Sequence, residues 1–165
     1  MKRVYSQIGL DATESAILKH VLMLWQQKRG ERPFPAREQL SPRDLAAALP
    51  HLTLCQVLDG GADFQLRIAG EEVLEAYGHH FKGRTLSSLV GEIGDTMLEA
   101  YRDVVKHREP ILLRGWFEHG EYQLFQREVL IMPLGVDNVD YVLAIGILLP
   151  GTGLRGTSNG DSIAA

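Results

Sequence analysis

Apolar positions along the chain change period three times. Ile17, Leu18, Val21, Leu22 and Trp25 recur at helical spacing as one stripe, which Met23 and Leu24 widen. Asp11 and Glu14 stand ahead of it in capping-box spacing, and Gly30 follows Lys28 and Arg29 as a stop. Pro33 and Pro35 exclude a continuous helix across 33–37. Ser41-Pro42 predicts a short second helix, capped by Ser41 and ended by Pro50. From residue 52 the period becomes two. Leu52, Leu54, Gln56 and Leu58 face one way, and Thr53, Cys55 and Val57 the other. Asp59-Gly60-Gly61 is a turn signal, and Phe64, Leu66 and Ile68 alternate with polar residues after it, so the two runs predict a hairpin.

Helical spacing then returns. Glu71 to Tyr77 suggests a short helix ending at Gly78, and His79 to Arg84 a loop. Ser87 to Val90 allows one more helical turn. Asp95 opens a stronger helix with Met97, Leu98, Tyr101, Val104 and Val105 on its stripe, and Pro110 lies past its end. Three strands follow: 111–118, a turn at His119-Gly120, 121–134 with Pro133 near its exit, and 139–149 after a turn at 135–138. The last strand is nearly all apolar, as expected for a strand covered on both faces. The final residues, PGTGLRGTSNGDSIAA, have little to bury and predict a disordered tail. The layout is α+β: five antiparallel strands with helices on one face, inserted between the second and third strands. Residues 1–50 form a helical extension, 51–149 the main domain and 150–165 the tail.

Composition narrows the function classes. The 165 residues suit one domain with a sizeable core, at 45% hydrophobic and 23% charged. Seventeen Lys and Arg against 21 Asp and Glu give a net charge of −4, which argues against nucleic acid and an anionic membrane as partners. No apolar run reaches the roughly 20 residues that span a bilayer. A single cysteine, Cys55, excludes an intramolecular disulfide framework and a multi-cysteine zinc site. The basic start lacks the apolar stretch of a signal peptide, so the expected location is the cytoplasm.

The segment Leu66-Arg67-Ile68-Ala69-Gly70-Glu71-Glu72-Val73-Leu74-Glu75-Ala76-Tyr77-Gly78 looks like the second strand and following helix of a PAS domain. Lys82-Gly83-Arg84-Thr85-Leu86 is similar to the segment after it, and 95–108 to the long PAS helix. In this order the elements resemble the PAS domain family. A narrower resemblance is to short stand-alone bacterial PAS proteins of the alphaproteobacterial type. Trp25, Pro35-Ala36-Arg37, Pro42, Leu49-Pro50 and Met132-Pro133-Leu134 carry it, over residues 15–149. The resemblance implies a sensory or interaction module that binds a small ligand between sheet and helices or meets a signalling partner, with no output domain of its own. It also implies a homodimer joined through the helix before the first strand, which makes Ile17, Leu18, Val21, Leu22 and Trp25 candidate interface residues.

Tyr77, Tyr101, His107, Arg114 and Trp116 are the candidate ligand-binding residues. Aromatics with polar tips and an arginine suit a small-molecule site, and core packing with one surface arginine accounts for the same pattern. His107 lies where haem-binding PAS domains take an axial ligand, yet a histidine also suits a helix C-terminus. His79-His80 lacks further ligand spacing and reads as exposed loop, with no metal. Cys55 lacks the motif of flavin-adduct domains and reads as a small buried side chain. Glu71, Glu72 and Glu75 suit a helix start, and no nucleophile–base pair is visible. No cofactor is named by these residues. The expectation is a non-enzymatic PAS-like regulator. The alternative is a small α+β enzyme, of isomerase or lyase type, using the sheet–helix cavity.

Overall fold

The computed structural model describes residues 3–118, 123–149 and 154–155. The strands are β1 (Arg3–Ile8), β2 (Leu52–Leu58), β3 (Asp63–Ala69), β4 (Ile111–Glu118), β5 (Gln123–Gly135), β6 (Val139–Leu148) and β7 (Leu154–Arg155). They form one sheet in the order β1-β4-β5-β6-β2-β3, with β7 paired to β5 off this path. All its strand pairs are antiparallel. The helices are α1 (Ala16–Arg29), α2 (Glu71–Tyr77), α3 (Val90–Ile93) and α4 (Asp95–His107). This is the expected α+β layout, with every one of the five expected strands present.

Local details differ from the expectation for physical reasons. β1 is an added edge strand in which Tyr5 is buried while Val4, Ser6 and Gln7 are exposed. One anchor gives no readable period; the strand is held by pairing to β4. Ser15, not Asp11, caps α1, its hydroxyl accepting from Leu18 N at 3.2 Å. Ser41 does act as a cap, accepting from Asp44 N at 3.1 Å, but 42–48 are successive turns and not a regular helix. Pro50 sits inside a 3-10 turn, Leu49–His51, where its missing N–H costs nothing. Within the predicted tail, Leu154–Arg155 pairs with Gln123 and Leu124. The rest of that tail and the turn at His119-Gly120 lie outside the described residues.

Both faces of the sheet are covered. On β5, Val129 faces a cavity shared with Met97 and Tyr101 of α4. Its neighbour Glu128 points the other way, as strand geometry requires. There it meets the N-terminal segment: Glu128 Oε1 accepts from Thr13 Oγ1 at 3.1 Å and from Glu14 N at 2.9 Å. Arg114, directly across on β4, donates to Oε2 at 3.3 Å and to the Ala12 carbonyl at 2.8 Å. Glu128 has no exposed surface. A carboxylate so deeply buried is tolerable only with such donors, and they pin residues 12–14 to the sheet.

This placement corrects the interface reading of α1. Leu18, Val21 and Trp25 are 1%, 1% and 3% exposed within the chain itself. Ile17 and Leu22 are half-buried against the same core. Trp25 Nε1 donates to the Pro133 carbonyl at 3.0 Å, which satisfies its one polar atom. The stripe therefore packs into the core of its own domain, and Leu18, Val21 and Trp25 leave no surface for a second copy. Trp25→Ala is expected to cost about 3–5 kcal/mol in urea unfolding, the range for deleting a buried aromatic, with no change of mass in light scattering. A mass change at unaltered stability would restore the seam.

Candidate functional site

Between the sheet and α2–α4 lies a cavity of about 50 Å³. Its sheet side is Thr53, Leu66, Arg127, Val129, Ala144 and Gly146. Its cover is Val73 and Tyr77 of α2, Ile93 of α3, Met97 and Tyr101 of α4, and His51, Phe81 and Leu86 from the connecting segments. The cover is positioned locally. Gly70, which precedes α2, runs so close to the 49–51 turn that a Cβ would collide with the Leu49 and Pro50 carbonyls. Tyr77 stacks on Phe81 with centroids 4.8 Å apart. Tyr101 meets Phe64 edge-on at 5.3 Å, and its hydroxyl lies 3.3 Å from Thr53 Oγ1.

Arg127 is the charged member of the floor. Its Nη1 donates to the Tyr77 hydroxyl at 3.0 Å. Two glycines make room for it. A Cβ at Gly146 would collide with Nη2, Nε and Cζ of Arg127, so the guanidinium lies flat over that position. A Cβ at Gly115, across from Arg127 on β4, would strike the Val4 carbonyl and the Tyr5 ring. The Tyr5 ring thus crosses Gly115 towards Arg127. Burial pulls the Arg127 pKa down, but Tyr77 and Tyr5 outweigh it and the net direction is up. The guanidinium is charged at every accessible pH.

Two other groups shift. Burial pushes the Cys55 thiol up to about 12, against a hydrogen bond with Tyr101 that lowers it. Burial likewise raises Tyr101 well above the usual phenol range. Both are neutral at pH 7. Among the described residues no cluster of three or more His, Cys, Asp or Glu could hold a metal ion. No described helix is long and apolar enough to cross a membrane.

Of the candidate ligand-binding residues, the structure brings Tyr77 and Tyr101 to the cavity. The other three lie elsewhere. His107 is exposed at the end of α4. Arg114 pairs with Glu128 on the opposite face. Trp116 shares that opposite face two residues on, and is 39% exposed. Sequence reasoning missed Arg127, Thr53 and the glycines. The available signal was Gly115 and Gly146 inside strands, which mark close approach by another group.

A sequence profile of the PAS domain matches residues 13–149. The chain belongs to the PAS domain family. Two solved structures resemble this PAS protein. A sensory box sensor histidine kinase from Vibrio cholerae is 13% identical, with TM-score 0.45, over 68% of this chain and 92% of that one. An RNA-binding Light-Oxygen-Voltage receptor is 14% identical, with TM-score 0.48, over 89% of this chain and 38% of that one. No curated protein is significantly similar in sequence.

One carboxylate ties the PAS cover to the sheet. Asp63 accepts from Phe64 N at 2.8 Å, from Ser87 N at 3.2 Å and from the Ser87 hydroxyl. Burial raises its pKa, but these bonds and the Arg102 charge prevail and the net direction is down. The folded pKa is then below the unfolded one. The stabilisation is present above the ordinary carboxylate range, near 3.9, and is lost as pH falls through the folded value. Asp63→Asn should cost about 1 kcal/mol at pH 7, in the range of a net hydrogen bond, and the gap from the wild type should close below about pH 4. Denaturant titrations across pH 2–7 check this; a gap that persists at pH 2 contradicts it.

Proposed function

We propose that this PAS protein is a regulator that takes a small ligand into the cavity and passes its occupancy to a signalling partner protein. The observation that carries this is the cavity itself: a mostly apolar wall with an arginine and hydroxyl groups converging on one space. Its size supports a ligand of few atoms. The cavity is about a third of the ~150 Å³ that accommodates benzene. Transmission has a structural route in β5. Arg127 borders the cavity while the next residue, Glu128, holds residues 13–14 on the other face. A ligand that shifts β5 therefore acts on the N-terminal segment.

Binding is favoured over catalysis. An isomerase or lyase needs a titratable group poised near neutral pH. Burial raises Cys55 and Tyr101 out of that range, and the described wall offers His51 no carboxylate for an acid–base pair. The exposed His107 speaks against an axial ligand from that position.

Titration with propionate, propionamide and 1-propanol, followed at the Met97 and Val129 methyl signals by NMR, tests the ligand site. At least one probe should move both signals in a saturable way, with smaller changes at the Met23 methyl on the other side of the sheet. Three probes that leave Met97 and Val129 unmoved would sink the reading.

A further inference from the structure

We infer that the cavity selects small monocarboxylates, with the carboxylate on Arg127 and the carbon end against Met97, Leu66 and Val129. This rests on the reading of the cavity as a ligand site and names its ligand class.

The first ground is charge. Among the described residues Arg127 donates to the Tyr77 phenol, and the Tyr5 phenol lies near it; neither is a carboxylate. Among the described residues the one ion pair is Arg114–Glu128, and it lies across the sheet. Arg127 is half-buried beside the cavity, where a cation gains from a matching anion, and no carboxylate stands among the described residues that line it. A single negative charge entering the cavity balances Arg127. A dianion such as phosphate leaves one charge uncompensated among apolar walls.

The second ground is shape. A guanidinium presents its donors as a planar fork that matches a carboxylate. Gly146 lets that fork lie against the sheet. Tyr77 anchors one nitrogen, Nη1, at 3.0 Å, which fixes the orientation of the rest. The third ground is volume. About 50 Å³ favours the shortest acids over longer ones.

The test compares propionate with propionamide, which has the same shape and no charge, on the full chain by NMR titration. In the wild type propionate should bind about tenfold tighter or more, as expected for a charge-assisted pair. In Gly146→Ala the new methyl displaces the guanidinium with no backbone collision, and in Arg127→Gln the charge is gone. Both variants should bring the two probes within about twofold of each other. Gly146→Ala decides the matter if Arg127→Gln does not fold. Equal affinities in the wild type, or a preference that survives displacement of Arg127, overturn the carboxylate assignment. Should propionamide or 1-propanol bind without any preference for propionate, the ligand site stands and the assignment falls. If no probe reaches the cavity, both fall.

Discussion

Adjacent residues of one central strand carry opposite charges to opposite faces of a sheet that is covered on both sides. Strand geometry forces this on Arg127 and Glu128. Glu128 is fully buried and Arg127 half-buried, and the two charges are accommodated differently. Glu128 is fully satisfied by Thr13, Glu14 and Arg114, so its face is closed and structural. Arg127 is held by the Tyr77 phenol beside a cavity, so its face keeps unfilled space. The N-terminal segment, the placement of α1 and the chemistry of the cavity all depend on this alternation.

Periodicity carried much of the fold. The stripe of α4 and the period-two runs of β2 and β3 gave the right elements because each has several buried positions in register. β1 escaped because Tyr5 is the one buried residue among its described side chains. The 42–48 turns escaped because a cap and a following proline signal where a helix begins, not whether it reaches regular length. The α1 stripe shows a further limit. Periodicity says that a face is buried, but not against what, and here Trp25 and its neighbours meet their own sheet.

The site was half legible. Tyr77 and Tyr101 lie on helices whose register was readable, and both reached the cavity. Arg114 and Trp116 were assigned to the wrong face, since parity along β4 cannot be related to the cavity until β4 is paired with β5. Arg127 was hidden inside a long strand. A charged pair in an apolar run, with Gly115 and Gly146 as flat neighbours, is its signature in hindsight. Family membership supplies the fold more securely than the ligand. Affinity is bounded too: a ligand of about five heavy atoms gains at most about 1.5 kcal/mol per atom, so binding tighter than micromolar is out of reach.

The central claim is that Arg127 is a charged group held at the cavity. Arginine side-chain NMR on nitrogen-15 labelled protein tests it most directly, with the signal assigned by its loss in Arg127→Lys. The account predicts a guanidinium Nε–H that exchanges slowly with water and shifts on adding propionate. A rapidly exchanging signal, unmoved by propionate, would contradict it.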